Sequence, residues 1–201
     1  MPQSTQQLRE THEQVKALVA SGRLDEAVRL TEQWVAHTDR PLALEWLVQV
    51  RVRRDGVAAA LAAVEQNLQR PELPDGVRGC LSAILAMYRL PVLPFGAWAN
   101  RSLTPEELSA LELAEVGARL SPPDVRWALC ALAIARALQG RQDARTLAQQ
   151  VLSRPDGPIA ERGWMFAVIG MCDRDPDRLE DLRSFDPGNR MLPALEATLR
   201  S

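Results

Sequence analysis

The sequence predicts an all-α protein, arranged as a right-handed α-solenoid of stacked antiparallel helix hairpins with about eleven helices. Three observations predict this fold class. Apolar residues recur at the i, i+3, i+4, i+7 spacing of one helix face along nearly the whole chain. The sustained apolar–polar alternation of strands is absent. Prolines stand where first helical turns should begin, since a residue without an N–H loses no intrahelical hydrogen bond there.

The first five helices are predicted from apolar stripes separated by short polar breaks. Ser4 and Gln7 fit an N-terminal capping pattern, and Pro41 opens the third helix. The stripe of the second helix consists of Leu24, Ala27, Val28, Thr31, Trp34 and Val35. The predicted bounds are 4–21, 24–38, 41–54, 56–70 and 75–89. Because the connections are short, neighbouring helices should lie antiparallel.

The segment 90–104 differs from the other connections. It is long, holds two prolines and carries the large aromatic residues Phe95 and Trp98, although loops are usually polar. The chain is therefore predicted to be one helical-repeat domain, 1–201, in which sub-lobes 1–89 and 105–201 are joined by this segment.

Six further helices are predicted after this segment. Thr104 and Glu107 fit a capping box, with Pro105 at the first helical position. The runs 127–135 and 164–172 are apolar on every side, which indicates helices buried on several faces. The predicted bounds are 105–120, 122–139, 142–154, 158–172, 176–185 and 188–200.

The hairpin turns resemble those of the tetratricopeptide-repeat family. The run 21–27, SGRLDEA, is similar to the turn between the two helices of one repeat, and Gly56 follows Gly22 by 34 residues, the period of that family. The run 139–144 is a third, more distant match. The first-helix positions at which the family has bulky residues are occupied here by Thr11 and Gln14, which departs from the family pattern. The resemblance implies stacked hairpins that bind a protein or peptide, in a divergent version of the repeat.

Composition and charge exclude several classes of protein. The 201 residues are 46% hydrophobic and 25% charged, as in globular proteins, and the formal net charge of −2 argues against nucleic-acid or anionic-membrane binding through bulk charge. Of the 24 basic residues only Lys16 is a lysine, which favours a GC-rich bacterial genome over any function. The polar N-terminus and the absence of a long apolar window predict a cytoplasmic protein without a membrane span.

Residues suited to chemistry are few and scattered. The sequence contains no phosphate-binding glycine loop, nucleophile elbow or zinc-protease motif. Only His12 and His37 supply imidazoles, and Cys80, Cys130 and Cys172 are too far apart for a metal-binding pair. Paired carboxylates fall on helix surfaces or first turns. We therefore expect no enzyme activity, no metal site and no cofactor.

Five residues are predicted to contact a partner, each with a purely structural alternative. Phe95 and Trp98 would anchor a partner, because aromatic residues concentrate binding energy at interfaces; the alternative is that their loop folds back and plugs the gap between the two halves of the solenoid. Trp46 would line the groove formed by first helices, or pack between helices. Arg53 and Arg54 would bind an anion or acidic peptide; the alternative is that they place favourable positive charge at the C-terminus of a helix.

Two functional hypotheses follow from these patterns. The first is a non-catalytic scaffold that binds a protein or peptide, either as a monomer or as a homodimer. The second is a regulatory or sensory domain that binds a small molecule or signalling peptide and acts on the transcription machinery.

Overall fold

The computed structural model describes residues 5–37, 41–123, 125–153 and 159–201, and the regular secondary structure in them is entirely helical. The prediction of an all-α fold is confirmed. Eleven helices occupy the described part of the chain. They are α1 Thr5–Ala20, α2 Leu24–His37, α3 Pro41–Asp55, α4 Val57–Leu68, α5 Asp75–Arg89, α6 Pro105–Leu120, α7 Arg126–Leu138, α8 Asp143–Leu152, α9 Ile159–Asp173, α10 Asp177–Phe185 and α11 Leu192–Arg200.

The chain divides into two compact units, Met1–Leu81 and Ser82–Ser201. This division differs from the sub-lobes expected at 1–89 and 105–201. The segment 90–104 lies wholly inside the second unit instead of joining two lobes, because its apolar side chains pack on the core of that unit.

The first unit is built on the α1–α2 hairpin. Gly22 ends α1 with φ 72°, a left-handed conformation that favours glycine. Its N–H donates to Val19 O at 3.2 Å, and the Arg23 N–H donates to Leu18 O at 2.9 Å, which is the hydrogen-bond pair of a Schellman turn. The core of α1, α2 and α3 consists of Leu8, Val15, Ala27, Val28, Trp34, Ala43 and Val50.

The second unit is centred on α7 and α9. Ile134 and Ala135 on α7 and Met165 and Val168 on α9 are fully buried, as the all-round apolar runs predict. α7 packs on α6, α8 and α9, and α9 also contacts α10 and α11. The two central helices, α7 and α9, therefore form the centre of the core, and the helices around them cover their apolar faces.

Two predicted helix starts are shifted by local side-chain and proline effects. The helix expected at 122–139 begins at Arg126; Pro123 disfavours helical geometry at Pro122, which accounts for the exclusion of residue 122. The last helix, expected at 188–200, begins at Leu192, since the Asn189 side chain holds the preceding turn by accepting a hydrogen bond from the Met191 N–H at 2.8 Å. The predicted starts at Ser4 and at residue 158 lie outside the described residues.

Candidate functional site

The first unit contains an apolar recess of about 150 Å³, which we call the α3–α4 recess. Its apolar wall is drawn from α2, α3, α4, the turn after α4 and the start of α5. The wall residues are Val35, Leu44, Leu47, Val48, Ala60, Ala63, Val64, Leu73, Val77 and Leu81. Three polar residues, Arg51, Asn67 and Arg70, complete the lining.

The recess arises because α3 is apolar on two faces and α4 carries small side chains. On α3, Ala43 and Val50 are fully buried in the core with α1 and α2. Leu44, Leu47 and Val48 have the i, i+3, i+4 spacing of a different face of the helix, and they line the recess. On α4 the lining includes two alanines, which leave space that larger side chains would fill.

Arg51 is a half-buried polar residue of the lining. Its Nη2 donates to Glu32 Oε1 at 2.7 Å, but its Nε is buried and has no hydrogen-bond partner among the described residues. Asn67 donates to Ala63 O at 2.9 Å, and Arg70 donates to Glu72 Oε1 at 3.2 Å. The recess therefore combines an apolar wall with three polar lining residues, which suits an apolar group of a ligand.

Trp46 lies away from this recess, on the side of α3 that faces α1. Its ring is 5.4 Å from that of His12 in a T-shaped arrangement, and His12 is 6.2 Å from the ring of Trp34. Burial, followed by the charge of Lys16, lowers the pKa of His12. Trp46 is half-buried in this aromatic cluster, which is the inter-helix packing alternative that the sequence offered.

Arg53 and Arg54 are exposed at the C-terminal end of α3. Arg54 donates to both carboxylate oxygens of Asp55, at 2.7 and 2.8 Å, and more weakly to Asp25 at 3.5 Å. It lines a broad polar hollow of about 480 Å³ in which Arg23 is likewise paired with Glu26. Arg54 is thus already paired in this hollow, which Arg29 also lines, and its contact with a partner stays a prediction.

Phe95 and Trp98 are held by backbone hydrogen bonds inside the second unit. The Trp98 N–H donates to Leu138 O at 2.7 Å, so the segment 90–104 satisfies a carbonyl at the end of α7. The Phe95 N–H donates to Thr198 Oγ1 on α11 at 2.9 Å. Trp98 is only 4% exposed, and Phe95 is half-buried. Both residues therefore contribute to the packing of the second unit.

Glu107 ties the end of this segment to α6. Its carboxylate accepts from Trp98 Nε1 at 3.0 Å, from Arg101 Nη1 at 2.8 Å and from the Thr104 N–H at 2.9 Å. The Arg101 hydrogen bond is the largest cause that lowers the pKa of Glu107 to about 2, and the Thr104 N–H adds to it. The Thr104 hydroxyl accepts from the Glu107 N–H, so the predicted capping box is confirmed.

No family model, curated protein or solved structure matches this chain. Its function must therefore be inferred from its own geometry.

The candidate chemical residues remain separate in the structure. Among the described residues no three His, Cys, Asp or Glu side chains are placed to hold a metal ion. Burial raises the pKa of the Cys130 thiol well above its usual range. Burial, followed by the charge of Asp173, raises the pKa of Cys172 to about 11. None of the helices in the described part is long and apolar enough to cross a bilayer.

Sequence reasoning missed the α3–α4 recess. The available signal was that α3 carries Leu44, Leu47 and Val48 in addition to its core stripe, which leaves a second apolar face in need of a neighbour. The alanine-rich run 57–64 of α4 gave the complementary signal of a helix too small to fill that face.

Proposed function

We propose that the protein is a non-catalytic, cytoplasmic scaffold with divergent tetratricopeptide-like repeats, and that it binds a peptide segment of a partner protein. The α3–α4 recess carries this proposal, because its predominantly apolar lining is suited to an apolar side chain of a peptide. The repeat resemblance is supported by Gly22 and Gly56, 34 residues apart, which both adopt a positive φ, of 72° and 85°.

The size of the recess favours a peptide side chain over a larger ligand. Drug-sized molecules occupy pockets of roughly 300–1,000 Å³, whereas the α3–α4 recess holds about 150 Å³. Interfaces concentrate their binding energy in a few anchor side chains that fill such pockets. One large apolar side chain would enter the recess.

The proposal moves the partner contact away from the residues that the sequence favoured. Trp98 and Phe95 are packed within the second unit, and Trp46 packs against His12. Arg53 is exposed, and we keep it as a peripheral contact for an acidic flank of the peptide. Nucleic acid, cofactors and catalysis have no place in this proposal, and homodimerisation stays a prediction.

Selection from a random peptide library on the immobilised full-length protein tests the proposal. Selected peptides should share one large apolar residue and bind with a dissociation constant measurable by fluorescence polarisation. Ala63→Leu should weaken binding at least tenfold, because the new side chain occupies the recess. Ala62→Leu is the matched control, since Ala62 is on the same helix but exposed and outside the lining.

Equal affinity for both leucine variants would overturn the proposal, as would a selection without an apolar consensus. Each variant should keep the wild-type helicity, measured by circular dichroism, so that any loss of binding reports the recess itself.

The volume of the recess also favours the regulatory or sensory alternative, in which the ligand is a small apolar molecule. Apolar cavities of roughly this size stay dry and bind molecules such as benzene. A ligand that binds only the folded state raises the melting temperature. A rise with benzene or indole in wild type and Ala62→Leu, but not in Ala63→Leu, together with no selected peptide, would support this alternative instead.

A further inference from the structure

The polar residues of the α3–α4 recess bring positive charge and no negative charge to its lining. Arg51, Asn67 and Arg70 are the polar members, and none of the described residues that line the recess carries a carboxylate. Arg51 is half-buried, and its ion pair with Glu32 is short, with 2.7 Å between Nη2 and Oε1. Arg70 is exposed, so it is the cation of the lining that a ligand entering from solvent can reach.

The ion pair that Arg70 makes within the chain is a weak one. Its Nε and Nη2 both donate to one oxygen of Glu72, Oε1, at 3.2 Å. Strong arginine–carboxylate pairs have hydrogen bonds of about 2.7–2.9 Å and join two nitrogens to two oxygens. The side chains of Arg70 and Glu72 are 57% and 65% exposed, and such exposed pairs contribute little free energy. A carboxylate that presents both of its oxygens to Arg70 can therefore replace Glu72.

The backbone that carries Arg70 is fixed beside the recess. Its N–H donates to Asn67 O at 3.1 Å, in the turn that follows α4. Arg78 on α5 holds the same turn, because its Nη1 donates to Leu68 O and its Nη2 donates to Arg70 O, both at 3.0 Å. Arg78 uses these donors on carbonyl oxygens and makes no ion pair with a described residue, so its charge adds to that of Arg70. Only the end of the Arg70 side chain has to be ordered by a ligand, which lowers the entropic cost of binding.

We propose that the peptide segment taken up by the α3–α4 recess carries an acidic residue beside its apolar anchor, and that Arg70 binds the carboxylate of that residue. This inference rests on the proposed peptide-binding function and adds to it the charge of the partner. The apolar anchor supplies most of the affinity through burial, and Arg70 selects among anchors by the residue that stands next to them. Arg53 is outside the lining and keeps its peripheral role.

Matched peptides test the proposal on the full-length protein. All carry the same selected apolar anchor, and the members of each pair differ by glutamate or glutamine at one position beside it. By fluorescence polarisation at low ionic strength, we expect the best glutamate peptide to bind roughly two- to fivefold more tightly than its glutamine counterpart, the range of an exposed ion pair. Added sodium chloride should narrow this ratio, because salt screens exposed charges.

Arg70→Gln should bring the ratio of the two affinities to one. Arg29→Gln is the matched control, because it removes the same charge from an exposed arginine of the first unit that lines the polar hollow instead of the recess. It should leave the ratio unchanged. Circular dichroism should show the wild-type helicity in both variants.

Equal affinity for glutamate and glutamine at every position beside the anchor, or a ratio that survives Arg70→Gln, would overturn this inference. A ratio that falls as far in Arg29→Gln would also overturn it, because bulk charge would then explain the preference. In each of these cases the loss of affinity expected in Ala63→Leu would leave the peptide-binding function standing. If Ala63→Leu has no effect on either peptide, the proposed function fails and this inference fails with it.

Discussion

Replacing Trp98 by alanine distinguishes a loop that packs as part of the core from a loop that presents a binding anchor to a partner. Trp98 is 4% exposed, so nearly all of its ring contacts other parts of the second unit. Truncation of a buried tryptophan to alanine costs about 3–5 kcal/mol. The lost hydrogen bond from Nε1 to Glu107 falls within that figure, because Glu107 keeps its bonds to Arg101 and Thr104.

The expected change in melting temperature follows from the size of the second unit. One kcal/mol shifts the melting temperature by about 4–8 °C in domains of 60–100 residues and by about 2–4 °C in larger ones. For Ser82–Ser201, an intermediate slope predicts that Trp98→Ala lowers the melting temperature by roughly 10–20 °C. Differential scanning calorimetry of the full-length chain measures it.

Two further variants divide this effect into its parts. Trp98→Phe keeps most of the buried ring and loses the donor to Glu107, so the cost should fall to about 1–2 kcal/mol. Phe185→Ala removes a ring that is 42% exposed and should cost no more than about 1–2 kcal/mol. If Trp98→Ala melts within about 3 °C of the wild type, the packing described for the segment 90–104 is refuted.

Three further predictions concern Glu107, Gly117 and the cysteines. In the folded protein the pKa of Glu107 is lowered from the ordinary 4.5 to about 2. The ionised carboxylate therefore stabilises the fold fully at pH values above 4.5, and this stabilisation is lost as the pH falls toward 2. Glu107→Gln should flatten the dependence of melting temperature on pH between 5 and 2. A Cβ at Gly117 would lie 2.8 Å from Ala83 Cβ and 2.9 Å from its backbone, so Gly117→Ala should destabilise the protein by about 1–2 kcal/mol in urea titrations, although alanine is the better helix former. All three cysteines are buried, and Cys172 has a pKa of about 11, so none should react quickly with a thiol reagent at neutral pH until the chain is denatured; rapid labelling of the native protein would argue against this packing.

Local signals in the sequence predicted most of the helices because their physical causes are local. The Thr104–Glu107 capping box requires only four consecutive residues, and the Gly22 turn only the end of one helix. The apolar runs in α7 and α9 predicted central helices because a helix without a polar face must be surrounded.

The parts that sequence patterns could not supply depend on contacts between distant residues. Trp98 is fixed by Leu138, forty residues later, and Phe95 by Thr198, 103 residues later. The α3–α4 recess needs the relative placement of four helices, which no apolar stripe specifies.

The segment 90–104 is the longest stretch between helices, but the hydrogen bonds that hold it make it a poor site for inserting sequence. Irregular surface segments are normally the places where proteases cut and where inserted sequences are tolerated. Here backbone N–H groups of Gly96 and Trp98 complete the end of α7, so cleavage or insertion beside them would uncap a buried helix. The turn at Gly140 packs against this same segment, since a Cβ there would lie 3.2 Å from Gly96 Cα. The segment 90–104 should therefore resist proteolysis as firmly as the helices around it.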